Sequence, residues 1–217
     1  MNNNNIMNIS FLTDNPNSWI ISYLENFKKS LKNFNIRHYY SQEEIKDSGE
    51  ILFILSCEKI VRKEALKYHR KNIVVHPSKL PKGKGWSPVA WQILEGVNSI
   101  PVSLFEANSK VDSGQIYFQD EFKLYGHELN DEIKDLQGKS TFKLIKKFLK
   151  SYPNLEPFSQ KGESTYYKKR TKNDSELDIN RSIKDQFNLL RIVDNNLYPA
   201  FFFHHGHKYT IKITKNE

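Results

Sequence analysis

His76 and Asp112 are the two residues of this sequence whose types and positions best suit acid–base chemistry. His76 ends the apolar run 73–75 and is followed by Pro77, so its imidazole is expected where a buried strand emerges into a loop. Asp112 follows a second apolar run, 100–105. A carboxylate beside a histidine fixes the ring's tautomer and stabilises its charged form, which is a couple used in general acid–base catalysis. The same residues are also typical of structural positions, a solvated loop histidine and a turn-forming aspartate.

The segment between these two residues is rich in residues that shape a backbone. Pro81, Gly83 and Gly85 follow His76 closely and predict a loop that can approach a ligand. Ser87 and Pro88 then predict the cap and first residue of a helix that stops near Gly96.

The elements that must position these residues alternate along the chain. We predict strands over 8–13, 35–40, 51–55, 73–76, 100–105 and 115–119, and helices over 18–34, 58–70, 87–95, 130–152 and 182–193. This alternation predicts an α/β fold with an open, mostly parallel, Rossmann-like sheet. Residues 1–153 are expected to form a catalytic domain, and residues 154–217 a small C-terminal extension of a helix and a β-hairpin around Gly206.

Ligands of such sheets bind at the carboxyl ends of the strands, where Ser56, Cys57, His76 and Asp112 are expected. Cys57 is a candidate nucleophile if His76 lies beside it, whereas a small buried cysteine is the commoner case. The sequence His204-His205-x-His207 has the residue types of a metal site, but alternation along a hairpin strand explains it equally, and no metal is expected.

Composition limits the classes of protein that remain. The 217 residues suffice for one good core with a small appendage, and no run of eighteen apolar residues predicts a membrane span. The start MNNNNIMNIS lacks the pattern of a signal peptide, and one cysteine fits a reducing compartment, so we expect a cytoplasmic protein. The net charge of +8 permits nucleic-acid binding, but basic residues are scattered among acids, which favours an ordinary solvated surface. A basic cleft would also suit an anionic ligand.

Three stretches carry a family resemblance: HPSKLPKGKGWSP at 76–88, WQILEG at 91–96, and VSLFEA through VDSG at 102–114. The pattern resembles the formyltransferases that use N10-formyltetrahydrofolate, and most closely the bacterial nucleotide-sugar N-formyltransferases of pseudaminic-acid-type pathways. The C-terminal part, with Arg191 followed by Tyr198-Pro199, is similar as well. The resemblance covers most of the chain and is most specific between 76 and 114.

The resemblance implies roles for named residues. His76 and Asp112 match the family's catalytic histidine and aspartate. The loop that follows His76 would line the folate site through Leu80, Gly83, Lys84, Gly85, Trp86, Ser87 and Trp91. The amine acceptor would be met by Thr13, Asp14, Ser56, Ser78, Lys79, Arg191 and Tyr198. For Thr13 and Asp14, and equally for Arg191 and Tyr198, capping or packing is the alternative role.

The function implied is transfer of a formyl group from N10-formyltetrahydrofolate to the primary amine of a UDP- or dTDP-linked amino sugar, without metal, nucleic acid or membrane. A homodimer is compatible with this. Other acceptors remain open: glycinamide ribonucleotide, a peptide amine or aminoacyl-tRNA, although methionyl-tRNA formyltransferases carry a further C-terminal barrel for which 217 residues look too few. Val74 stands where the family has an asparagine that helps hold the formyl oxygen, with Asn72 two residues further back. A non-catalytic relative that binds folate or a nucleotide sugar is therefore a third alternative.

Overall fold

The computed structural model describes residues 6–216. The first five residues, part of the stretch in which no signal peptide is expected, lie outside the described residues, as does Glu217. In the described part of the chain, every helix is too short or too polar to cross a membrane.

The centre of the fold is a six-stranded sheet. Its strands are β1 (Met7–Leu12), β2 (Phe34–Tyr39), β3 (Gly49–Ile54), β4 (His69–His76), β6 (Ser99–Glu106) and β7 (Ile116–Lys123), in the spatial order β2-β1-β3-β4-β6-β7. The first four strands are parallel, while β6 runs antiparallel to both β4 and β7. The predicted open, mostly parallel α/β sheet is confirmed, with an antiparallel edge of two strands.

The helices around this sheet are α1 (Ile20–Lys28), α2 (Lys63–Leu66), α3 (Pro88–Leu94) and α4 (Asn130–Ser151). The predicted bounds of α3 and α4 are confirmed to within a few residues. The helix predicted over 18–34 was wrong at both ends: the cap position of α1 is Trp19, and Phe34 already pairs with Met7 in the sheet.

The second predicted helix, over 58–70, was also wrong in extent, since α2 has four residues. The amides of Glu58 and Lys59 donate to the carboxylate of Asp14 instead of to helical carbonyls. Further along, the Arg62 amide donates to the side chain of Gln42. Side-chain acceptors from distant loops therefore replace the first turns of the predicted helix.

Two apolar clusters cover the two faces of the sheet. On one face α1, α3 and α4 pack against the strands, with fully buried side chains that include Phe11, Phe53 and Phe148. A smaller cluster on the other face joins Leu12, Leu52 and Ile54 to α2. A β-strand that is buried on both faces has a continuous run of apolar residues, which explains the apolar sequence of β3.

The C-terminal part comprises β8 (Tyr166–Tyr167), α5 (Phe187–Ile192) and a hairpin of β9 (Ala200–His204) with β10 (His207–Ile211). The predicted hairpin around Gly206 is confirmed. The helix predicted over 182–193 is shorter, because Gln186 turns its side-chain amide back to the carbonyls of Asp178 and Arg181 before α5 begins. β8 pairs with β5 (Lys84–Gly85), so this part of the chain is tied directly to the loop that follows His76.

Candidate active site

A cleft of about 630 Å³ opens at the carboxyl ends of β3 and β4, where open α/β sheets bind their ligands. Its floor includes Ser56, Val74 and His76, and one wall is formed by the loop and helix start from Gly85 to Ala90. The C-terminal part forms a further section of the lining. The residues it contributes there are Lys169, Arg170, Thr171, Ser175, Ile192, Asp194, Leu197 and Tyr198.

His76 is the last residue of β4 and is 8% exposed. Its Nε2 lies 2.8 Å from the carbonyl oxygen of Gly83 and 3.8 Å from Oδ2 of Asp112. A carbonyl oxygen can only accept a hydrogen bond, so Nε2 carries a proton. In the neutral ring the lone pair is then on Nδ1, and His76 lines the cleft. This arrangement makes Nδ1 the atom that can take a proton from a bound group.

Asp112 reaches His76 by a route that differs from the predicted one. We expected the two on adjacent strand ends, but β6 is antiparallel to β4, so that its carboxyl end at Glu106 lies beside Ile73. The loop 107–115 instead turns back along the sheet. It is closed where Glu106 donates its amide to the Gln115 carbonyl, and Gly114 is needed there because a Cβ would collide with the Glu106 carbonyl oxygen.

Two residues hold Asp112 in place by hydrogen bonds to its carboxylate and to the backbone of its loop. The Gly85 amide donates to Oδ2 of Asp112 at 2.8 Å. Nε2 of Gln160 donates to the carbonyls of Asp112 and Gly114, both at 2.9 Å, and so holds the loop from the C-terminal side. Asp112, its amide donor and His76 therefore form one preorganised group in which the carboxylate faces the protonated nitrogen of the ring.

Backbone strain is concentrated around the same cleft. Four non-glycine residues of the described chain have φ in the left-handed region, and three of them, Ser56, Ser87 and Asp112, line the cleft. The fourth, His205, is at the tip of the β9–β10 hairpin. Such conformations cost about 1–3 kcal/mol each and are found mostly at ligand sites. Ser87 precedes α3 as predicted, but its side chain makes no capping bond.

The comparisons with known proteins identify the family of the chain. The family model described as "Formyl transferase" matches residues 25–146, which is more than half of the chain. The chain belongs to the formyl transferase family. Membership in the family was predicted from the segment 76–114, and it is confirmed.

Individual relatives give the fold and the length. A methionyl-tRNA formyltransferase of Thermodesulfovibrio yellowstonii is 26% identical over 172 residues, which are 77% of this chain and 51% of the relative. The chain thus spans about half the length of that curated relative. The match to the solved structure of a methionyl-tRNA formyltransferase from Clostridium thermocellum covers 97% of this chain and 94% of the Clostridium chain. The TM-score is 0.84 and the identity is 23%. The match to a 4-N formyltransferase from Francisella tularensis covers 98% of this chain and 99% of the Francisella chain, with a TM-score of 0.77 and 17% identity.

The predicted donor-site residues fall into two groups. Gly85, Trp86 and Ser87 line the cleft, while the others lie behind its wall. In the second group Lys84 and Leu80 are buried, Gly83 holds His76 through its carbonyl, and the indole of Trp91 donates to the Lys168 carbonyl and stacks on Tyr167.

The predicted acceptor-site residues also divide. Ser56 and Tyr198 line the cleft, whereas Thr13, Asp14, Ser78, Lys79 and Arg191 do not. Thr13 is fully buried with its hydroxyl 2.8 Å from Nε2 of His38, and Ser78 is 1% exposed. Arg191 is also 1% exposed and forms a 2.8 Å ion pair with Glu128.

Val74 is on the cleft floor at the position where the family has asparagine. Asn72, two residues earlier, is buried and donates its side-chain amide to the carbonyls of Leu66 and His69. Its amide hydrogens are therefore used within the fold, away from His76.

Other polar groups of the cleft have simpler properties. Burial raises the pKa of the Cys57 thiol to about 12, so Cys57 is a neutral thiol at physiological pH rather than a nucleophile. Within residues 6–216, no three side chains of the metal-binding types come together at one point, the histidines of the hairpin tip included.

Sequence reasoning missed most of the C-terminal wall. Arg170 was not among the predicted site residues, and its place on the cleft results from the pairing of β8 with β5. A local signal did exist: the segment Thr171–Asp174 forms a capping box, in which the Asp174 carboxylate accepts from the Thr171 amide. Such a box predicts an ordered turn where composition suggests a loose connector.

Proposed function

We propose that this chain transfers a formyl group from N10-formyltetrahydrofolate to a primary amine, and that the amine belongs to a nucleotide-linked amino sugar. The observation that carries the proposal is the His76–Asp112 pair on the floor of the cleft in a member of the formyl transferase family. The cleft has a size typical of sites for small ligands, about 300–1,000 Å³. Its walls offer Trp19, Trp86 and Val89 to the flat rings of a folate.

The chemistry follows from the tautomer of His76, in which Nε2 carries the proton and Nδ1 the lone pair. The neutral amine attacks the formyl carbon, a new C–N bond forms, and the bond from the formyl carbon to N10 breaks. Nδ1 of His76 takes the proton that the amine nitrogen loses and returns it to N10 of the leaving tetrahydrofolate. Asp112 stabilises the charged ring while it holds this proton, because its carboxylate faces Nε2.

The oxygen of the formyl group becomes negative during the attack and needs a hydrogen-bond donor. Val74 supplies none, so another donor of the cleft must act in this proposal. Ser56 lines the cleft beside the end of β4 in a left-handed conformation, and its hydroxyl and backbone amide are the donors we assign to this role. Because Val74 replaces the asparagine of the family, the test must also allow for a protein that binds folate or a nucleotide sugar without transferring the formyl group.

The relatives favour one second candidate. Methionyl-tRNA formyltransferases are among both the curated and the solved relatives, so an aminoacyl-tRNA is the alternative acceptor. The net charge of +8 is compatible with it. Binding to tRNA would weaken steeply as salt increases, whereas a small acceptor that neutralises one or two charges would show a shallow salt dependence.

The test is an acceptor panel with N10-formyltetrahydrofolate as donor. UDP- and dTDP-linked amino sugars, glycinamide ribonucleotide and aminoacyl-tRNA are each incubated with purified protein, and tetrahydrofolate release and the mass of the acceptor are measured. We expect formylation of one amino sugar by the wild type and by His207→Gln, an exposed histidine on the hairpin, but not by His76→Gln. Tight folate binding without any formylated acceptor would refute the catalytic proposal.

A further inference from the structure

Arg170 is a half-buried cation on the cleft wall, and no carboxylate of the described residues forms an ion pair with it. The guanidinium donates through one terminal nitrogen, Nη2, to the backbone carbonyl of Asp174 and to the hydroxyl of Ser175. Both acceptors are neutral. Among residues 6–216, no carboxylate oxygen lies within 4.0 Å of its nitrogens, because the Asp174 carboxylate is bound by Lys168 and Thr171 instead.

The Nε atom of Arg170 makes this arrangement unusual. It is buried and has no hydrogen-bond partner among the described residues. Burial also lowers the pKa of this guanidinium from its usual value, and the nearby Asp174 carboxylate opposes that shift only in part. A buried donor on a charged group is costly to leave unpaired, so its retention calls for a partner that is outside the folded chain.

The other charges of the cleft favour an anion as that partner. Lys169 is paired with Glu58 at 3.0 Å, and Lys134 with Asp194 at 3.1 Å, so these four side chains largely cancel. Lys59 and Lys110 also line the cleft, and within the described chain neither forms an ion pair. With Arg170 they leave an excess of positive charge on the walls, which is opposed by Asp112 at the floor.

We propose that Arg170 is the anchoring residue of a subsite for an anionic oxygen group, a phosphate or a carboxylate, on a molecule that enters this cleft. A guanidinium presents planar pairs of parallel N–H donors that match two oxygens of such a group. The identity of the molecule rests on the proposed function. Its anionic oxygens could be the phosphates of a nucleotide-linked acceptor or the glutamate carboxylates of folate. Binding of the anion itself does not require formyl transfer.

Binding of inorganic pyrophosphate to the whole chain tests the subsite without any turnover. Isothermal titration is carried out on the wild type, Arg170→Gln, Arg170→Lys and the matched control Arg181→Gln, an exposed arginine outside the cleft. We expect binding about ten- to a hundredfold weaker in Arg170→Gln, a smaller loss in Arg170→Lys, and no change in Arg181→Gln. Equal affinity in Arg170→Gln and wild type, or a wild type that binds no pyrophosphate, would overturn the subsite while leaving the transfer reaction open.

Thermal unfolding separates binding from folding, because Arg170 also orders the turn at Asp174 and Ser175. Pyrophosphate should raise the Tm of the wild type and leave that of Arg170→Gln nearly unchanged, whatever the starting Tm of the variant. A purely structural arginine predicts the opposite: a lower starting Tm with the same increase on addition of pyrophosphate.

Steady-state kinetics then identify the source of the anion. A higher KM for the acceptor in Arg170→Gln, with the KM for N10-formyltetrahydrofolate and kcat nearly unchanged, assigns the phosphate of the acceptor. If Arg170→Gln instead raises the KM for the donor, and this increase is absent with a donor that lacks its glutamate, then Arg170 binds the folate carboxylates. Loss of kcat with neither KM changed would contradict a binding role for Arg170. Absence of turnover in the wild type refutes the proposed function, but not the subsite if pyrophosphate still binds through Arg170.

Discussion

Replacement of Asp112 by Asn tests the working part of the cleft with a minimal change in shape. The amide oxygen of Asn can still accept the hydrogen bond from the Gly85 amide, so the loop should keep its place. The lost quantity is the negative charge 3.8 Å from Nε2 of His76. Asp112→Asn should therefore impair the step in which the ring holds a proton, without a large effect on folding or on folate binding.

The size of the effect can be worked out from the geometry. Two unit charges at this distance attract by about 1 kcal/mol in a water-like medium and by about 4 kcal/mol at an effective dielectric constant of about 20. The His76 and Asp112 side chains are 10% and 13% exposed, which places the site toward the upper part of that range. At about 3 kcal/mol, and about 1.4 kcal/mol for each factor of ten, kcat should fall by about a hundredfold.

The assay is initial-rate release of tetrahydrofolate at saturating donor and acceptor, with Asp185→Asn as matched control. Asp185 is an exposed carboxylate beside Ser182, outside the cleft, so its variant should keep the wild-type kcat. A kcat for Asp112→Asn within about threefold of the wild type would contradict stabilisation of the charged His76 ring by Asp112. So would a large loss accompanied by an equal loss in Asp185→Asn.

Three further perturbations have defined outcomes. Arg191→Met should destabilise the fold by about 3 kcal/mol in urea unfolding, because it leaves Glu128, 4% exposed, without its ion-pair partner; loss of activity with unchanged stability would contradict this structural role. The thiol of Cys57, whose pKa burial raises to about 12, should resist iodoacetamide at pH 8 until the protein is unfolded, and rapid alkylation of the folded chain would contradict its burial. Gly85→Ala should lower the Tm and kcat together, because Gly85 has φ +95 and a Cβ would collide with the Tyr167 carbonyl oxygen; an unchanged Tm would show that the β5–β8 pairing is not tight.

Local patterns were sufficient to predict the strands and the position of His76. β4 ends at His76 as predicted, with Pro77 outside the sheet, and β3 ends at Ile54, one residue before its predicted end. However, the apolar pattern of a strand does not show whether it runs parallel or antiparallel to its neighbours. The antiparallel β6 depends on a return connection through α3, so the route by which Asp112 meets His76 could not be read from residues 100–112.

Long-range side-chain contacts explain most of the remaining differences. The predicted helix over 58–70 lost its first turns to the acceptors Asp14 and Gln42, which are 44 and 20 residues away in sequence from their partners Glu58 and Arg62. Similarly, Arg191 looked like a candidate for the acceptor pocket, but its carboxylate partner Glu128 lies 63 residues earlier in the chain. Neither partner has a fixed spacing that a sequence pattern could reveal.

The most direct test of the central claim follows an isotopically labelled formyl group in a single turnover. Enzyme in excess over N10-formyltetrahydrofolate is mixed with the accepted amino sugar, and the label is measured on the sugar nitrogen by mass spectrometry for wild type and His76→Gln. We expect transfer of the label to the amine at a rate at least about a hundredfold lower in His76→Gln, with the donor still bound. Equal transfer rates in the two proteins would contradict the assignment of His76, and label released as formate by the wild type would contradict an amine acceptor.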